Sequence, residues 1–88
     1  MQRPYSQQEV EGQLLREFSA DVDPEELEWH QDLRDRNVRV VEGNGWQLQF
    51  DAALPSELVD GRTYYVPAKT WHRVIRGEGR LVVEIVES

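Results

Sequence analysis

His30 and His72 are the only imidazoles in the 88-residue chain. His30 is followed two positions later by Asp32, in LEWHQD, and His72 stands in the run YYVPAKTWHRVI. On an extended strand, residues i and i+2 share a face, so His30 and Asp32 point the same way. Two imidazoles and a carboxylate converging from two strands make the 2-His-1-carboxylate set. That set binds iron(II) or a similar divalent ion and leaves coordination positions open. The same three side chains also support a metal-free alternative, a polar network in which they satisfy one another. With no cysteine in the chain, thiolate zinc, iron–sulfur ligation, disulfides and cysteine nucleophiles are excluded.

The elements that must carry these residues read as mostly β. Ser6 and Glu9 have capping-box spacing, and Val10, Leu14, Leu15 and Phe18 follow at helical intervals, which predicts a helix from about residue 6 to 19. In DVDPEEL, Asp23 is a good N-cap and Pro24 fits the first position of a helical turn. From Leu27 onward, short strands alternate with turn residues, the pattern of a sandwich or small barrel. VRVV and WQLQF flank EGNG, where Asn44-Gly45 suits a two-residue hairpin turn. In WQLQF, Trp46, Leu48 and Phe50 share one face. RTYYVP and WHRVI are two further strands, and GEG is read as the turn into RLVVEIVE. In that last strand Leu81, Val83 and Ile85 alternate with Val82, Glu84 and Val86, so both faces need cover, from the amino-terminal helix or a second subunit.

Gly61, five residues, Pro67, and His72 five positions later resemble the second motif of the cupin family: glycine, five residues, proline, one residue, glycine, two residues, histidine. Lys69 takes the place of that second glycine, and Arg76 the place of the closing asparagine. Counting back from Gly43 through the first cupin motif puts Arg36 at the glutamate position, Asp32 at the second histidine and His30 at the first. The resemblance implies an all-β fold, a small cupin-like double-stranded β-helix or jelly-roll barrel with both motifs at its mouth. A short N-terminal α-helix and lead-in, residues 1–24, would pack on the barrel of residues 25–88, one domain in all. The metal ligands it implies are His30, Asp32 and His72, holding a divalent ion such as iron, zinc, manganese or nickel.

Arg36 opposes a metal. A guanidinium about 5 Å from a divalent ion is repelled by about 6–7 kcal/mol at an effective dielectric near 20, so it must be neutralised or directed elsewhere. Alternatively it receives an anionic ligand between itself and the metal. Tyr64 is a second candidate to contact that ligand, through its hydroxyl. Trp29, Trp46 and Trp71 read as core or interface rather than pocket lining.

Seventeen acids against ten bases give a formal charge of −7, which repels phosphate backbones and anionic membranes, so neither nucleic acid nor membrane is an expected partner. MQRPYSQQEVEG lacks the apolar run of a signal peptide, and a cytoplasmic location is expected. Sheet edges in so short a barrel lead us to expect a homodimer. Two functional readings stand at this point. One is a cupin-like protein binding a divalent metal and a small anionic molecule, with metal-dependent catalysis on it. The other is a metal-free binding or interaction module without catalytic activity.

Overall fold

The structure, a computed structural model, describes residues 3–88. Eight antiparallel strands form it: β1 (Tyr5–Val10), β2 (Gln13–Phe18), β3 (Arg36–Asn44), β4 (Gln47–Phe50), β5 (Ser56–Glu57), β6 (Thr63–Val66), β7 (His72–Ile75) and β8 (Glu78–Glu87). They assemble into a five-stranded sheet of order β1-β2-β8-β3-β6 and a three-stranded sheet of order β5-β4-β7. The one helical element among the described residues is a 3-10 turn at Pro24–Glu26. It is capped as its sequence requires, with the Asp23 side chain accepting from the Glu25 N–H.

The helix expected over residues 6–19 is a β-hairpin. Val10 pairs with Gln13, and Glu11 and Gly12 between them both have positive φ, 51° and 82°, the backbone of a tight two-residue turn. Val10, Leu14, Leu15 and Phe18 fit a helical stripe, but Leu14, Arg16 and Phe18 fit strand alternation as well. The alternation wins because it lets β2 pair with β8 along Leu14–Phe18 and bury Phe18 and Arg16. A helix would have placed Gly12 in its interior, at a cost near 1 kcal/mol.

The hairpin expected at Asn44-Gly45 is also absent. β3 belongs to the five-stranded sheet and β4 to the three-stranded one, so this glycine turns a corner between sheets. Arg76-Gly77 makes the return crossing from β7 to β8 alongside it. A Cβ on Gly77 would lie under 3.0 Å from the Asn44 carbonyl oxygen and the Trp46 nitrogen, so the two crossings touch backbone to backbone. Trp46 sits directly behind this corner, fully buried, with its indole N–H donating to the Gly79 carbonyl at 3.2 Å.

Side-chain alternation carries the core across the large sheet. Phe18 faces Leu81, Arg16 faces Val83 and Leu14 faces Ile85, while Val83 and Ile85 meet Val40 and Val38 on the other side. Leu48 from β4, Leu58 and Val66 complete the apolar cluster. The sheets do not close on one another throughout. Between them remains a cavity of about 310 Å³, walled by Phe18, Leu48, Leu58, Val74, Leu81 and Val83. Its mouth is where the chemistry-bearing residues gather.

Candidate metal centre

His72 opens β7 and sits between two neighbours. On one side it pairs with Phe50 of β4; on the other it forms an isolated antiparallel bridge with His30. Reciprocal backbone hydrogen bonds of 3.0 Å join His30 and His72, and directly opposed residues of an antiparallel pair put their side chains on one face. Hence the imidazoles lie together, ring centroids 4.2 Å apart. Asp32, two residues past His30, reaches the same face. Its backbone carbonyl accepts from the Lys69 N–H at 2.7 Å, and the Asp35 carboxylate accepts from the Ala68 N–H at 2.7 Å. The loop before β7 thereby clamps the carboxylate segment from both ends.

Lys69 explains part of the turn's sequence. Its φ is 58°, left-handed backbone that favours glycine, at the position where the resembled motif carries one. Gly61, the first residue of that motif, has φ 84°.

One ligand atom from each of His30, Asp32 and His72 falls within 4.8 Å of the others. The His72 and Asp32 side chains are 7% and 11% exposed, whereas that of His30 is 45% exposed. Each imidazole is oriented the same way. His72 Nδ1 lies 2.8 Å from the Thr70 carbonyl and His30 Nδ1 lies 3.1 Å from the Glu28 carbonyl, in both cases two residues back along the chain. A carbonyl only accepts, so each Nδ1 donates, and in the neutral imidazole Nε2 is then the nitrogen with the lone pair. Both Nε2 atoms lie beside the carboxylate, that of His30 4.0 Å from Asp32 Oδ1. His72 Nε2 lies 3.2 Å from Asp32 Oδ2, and Oδ2 is buried with no hydrogen-bond partner. Burial pushes the His72 imidazole below its usual 6.5, with His30 and Arg36 acting in the same direction against the Thr70 carbonyl and Asp32. A neutral His72 thus leaves Nε2 and Asp32 Oδ2 close together without a hydrogen bond, a pair that a shared cation would satisfy. Histidines whose Nδ1 is held by a backbone carbonyl while Nε2 points at a carboxylate are disposed as metal ligands are.

The arginine that sequence reasoning set against a metal is neutralised. Arg36 Nη1 lies 3.2 Å from Asp32 Oδ1, and Arg36 Nε donates to Glu87 at 2.9 Å. Its charge is shared between two carboxylates, and Oδ2 of Asp32 stays free. Tyr64 does not reach the cavity. It points inward from edge strand β6, but its hydroxyl donates to the Glu57 carbonyl and accepts from the Val59 N–H, binding the β5 loop to the large sheet. Among the tryptophans, Trp46 is core, Trp71 is about half exposed, and Trp29 lines the cavity mouth under the Arg73 guanidinium at 4.8 Å.

One cavity residue escaped the sequence reading. Arg16 is 8% exposed and lines the same cavity as the histidines. The signal was there in QLLREF, an arginine flanked at i±2 by Leu14 and Phe18, and it was hidden by the helical assignment.

Two stacked antiparallel sheets with both motifs beside the cavity between them agree with the cupin-like jelly-roll fold that the motifs imply. No protein-family model matches the chain, and no curated protein does. Among solved structures it is similar to a cupin domain from Bordetella pertussis Tohama I, with TM-score 0.64 and 24% identity over all of this chain and 98% of that one. It is also similar to the structure of the DMSP lyases RdDddP and RnDddQII, with TM-score 0.70 and 19% identity over 83% of this chain and 35% of that one. A third is HppE in its iron(II) form, with TM-score 0.66 and 17% identity over 86% of this chain and 41% of that one. HppE in its cobalt(II) form with substrate is a neighbour too. The chain thus spans well under half the length of these two longer neighbours, and the likeness is one of fold.

Proposed function

We propose that the protein binds a divalent transition-metal ion through His30, Asp32 and His72 and accepts a small anionic molecule in the cavity beside it, which it transforms with the metal's help. One observation carries this reading: Asp32 Oδ2, buried and without a hydrogen-bond partner, lies 3.2 Å from His72 Nε2, the ring nitrogen that no backbone group engages. A borderline ion with nitrogen and carboxylate ligands suits that donor set. Support also comes from a fold neighbour, HppE, whose structures include an iron(II) form and a cobalt(II) form. A bound ion would supply Lewis acidity at its open positions. This chain's residues do the rest. Thr70 and Glu28 hold the imidazole tautomers, Arg36 fixes the carboxylate, and the apolar walls keep water from the ligand.

The metal-free reading draws on the Arg36–Asp32 ion pair, which already compensates the carboxylate's charge. It leaves Oδ2 unexplained, and for that reason it ranks second. Titration of untagged, chelator-treated protein with cobalt(II), followed by visible absorption, tests the proposal. One equivalent bound by the wild type, and none by His72→Ala, is expected. Absence of a saturable spectrum in the wild type overturns it.

A further inference from the structure

We infer that Arg16 anchors the cavity's ligand by a carboxylate, so that the molecule taken up is a small monocarboxylate with an apolar body. This deepens the proposal of a ligand cavity but does not depend on the metal.

Arg16 projects from the middle of β2 onto the inner face of the large sheet, opposite Val83. Its Nε and Nη2 both donate to Gln7 Oε1, at 2.9 and 2.7 Å, and the Tyr5 ring covers one face of the guanidinium at 3.8 Å. Both partners are neutral. Among the described residues no carboxylate forms an ion pair with Arg16, whereas Arg36, Arg39 and Arg80 each have acidic partners. A guanidinium has five N–H groups, of which Gln7 takes two from the Nε side. The remaining Nη1 and Nη2 donors form the end-on fork, which matches the two oxygens of a carboxylate.

An uncompensated charge in an apolar wall is costly unless something pairs with it. Burial lowers the Arg16 guanidinium below its usual range, yet arginine remains charged near neutrality, so the cost persists until an anion arrives. Gln7 and Tyr5 hold the group in one orientation beforehand, which reduces the ordering cost on binding. One guanidinium without an acidic partner suits a monocarboxylate, and the walls of Phe18, Leu48, Leu81 and Val83 suit a hydrocarbon body. At about 310 Å³ the cavity is at the lower end of the range for small-molecule sites. Arg36, which the sequence suggested for this role, is occupied by Asp32 and Glu87.

Hexanoate and hexan-1-ol share a chain and differ in charge, so they serve as probes, titrated into chelator-treated protein and followed by amide and arginine Nε–H NMR shifts. The wild type should bind hexanoate at least about tenfold more tightly than the alcohol, with the largest shifts at Arg16 and Gln7. Arg16→Met should abolish that preference. Because this variant also loses the contacts to Gln7 and Tyr5, Gln7→Glu provides the second test: it keeps the guanidinium packed but supplies an internal carboxylate. Hexanoate affinity in Gln7→Glu should fall about tenfold or more. Equal affinity for the two probes in the wild type, or undiminished hexanoate binding in Gln7→Glu, would overturn the assignment. The hexanoate preference is read on metal-free protein and cobalt uptake is read without hexanoate; the two proposals therefore fail separately.

Discussion

His72 Nε2 and Asp32 Oδ2 meet at 3.2 Å inside the protein, and no hydrogen bond joins them. The tautomer of His72 is set by the Thr70 carbonyl at 2.8 Å, which takes the only ring proton of the neutral imidazole. A buried acceptor without a donor costs about 1–3 kcal/mol, and the fold bears this cost at the position where a cation would remove it.

Asp32→Asn separates the structural need from the metal need. The amide can place its NH2 toward His72 Nε2 and its oxygen toward Arg36, satisfying both neighbours. Metal-free Asp32→Asn should therefore be as stable as metal-free wild type, or more stable by about 1 kcal/mol in urea unfolding. With metal at a hundredfold excess over its Kd, the wild type should gain about 2.7 kcal/mol and the variant almost nothing. A variant that is strongly destabilised without metal would show that the carboxylate's charge, rather than its shape, holds the loop.

Gly77 tests the crossing of the two sheets. Any side chain there collides with the backbone of Asn44 and Trp46, which cannot yield as a flexible side chain would. Gly77→Ala should lose about 3 kcal/mol or more of unfolding free energy, with weakened signals from the Trp46 indole. A loss under about 0.5 kcal/mol would mean that the corner is looser than described.

Lys69 runs the other way. Its left-handed backbone is strained for a residue with a Cβ, so Lys69→Gly should stabilise the protein by about 0.5–1 kcal/mol while leaving metal affinity unchanged. Calorimetry reads the first quantity, and metal titration the second.

Acid should weaken the chelated protein through His72. Its folded pKa lies below 6.5, the value of the free side chain, so the unfolded chain takes up the proton first as pH falls. Stability should be complete above about pH 6.5, decline as pH drops below it, and level off once the folded imidazole is also protonated. Replacement by glutamine should remove that part of the slope in urea midpoints measured across the same pH range.

Much of the site was legible from spacing, because strand geometry is local. His30 and Asp32 share a face by alternation, and the run from Gly61 to His72 carries a glycine, a proline and a left-handed position at defined intervals. Pairing between distant strands was less legible. Asn44-Gly45 has the composition of a hairpin turn, yet the next strand joins the other sheet, since what decides it is the backbone contact with Gly77, 32 residues away in the chain. Leu14, Leu15 and Phe18 satisfied two periodicities at once, and only the partner strand β8 distinguished them. That ambiguity concealed Arg16. Tyr64 illustrates a third limit: its inward direction follows from alternation, but the commitment of its hydroxyl to Glu57 and Val59 depends on a loop whose path no local pattern specifies.

The most direct test is elemental analysis of the untagged wild type after reconstitution with iron(II), cobalt(II), manganese(II), nickel(II) or zinc(II) and removal of excess ion, alongside Asp32→Ala and His72→Ala. Close to one ion per chain is expected in the wild type for at least one of these metals, with loss of that ion in both variants while each remains folded by circular dichroism. A wild type that retains no metal, or folded variants that retain as much as the wild type, would contradict it.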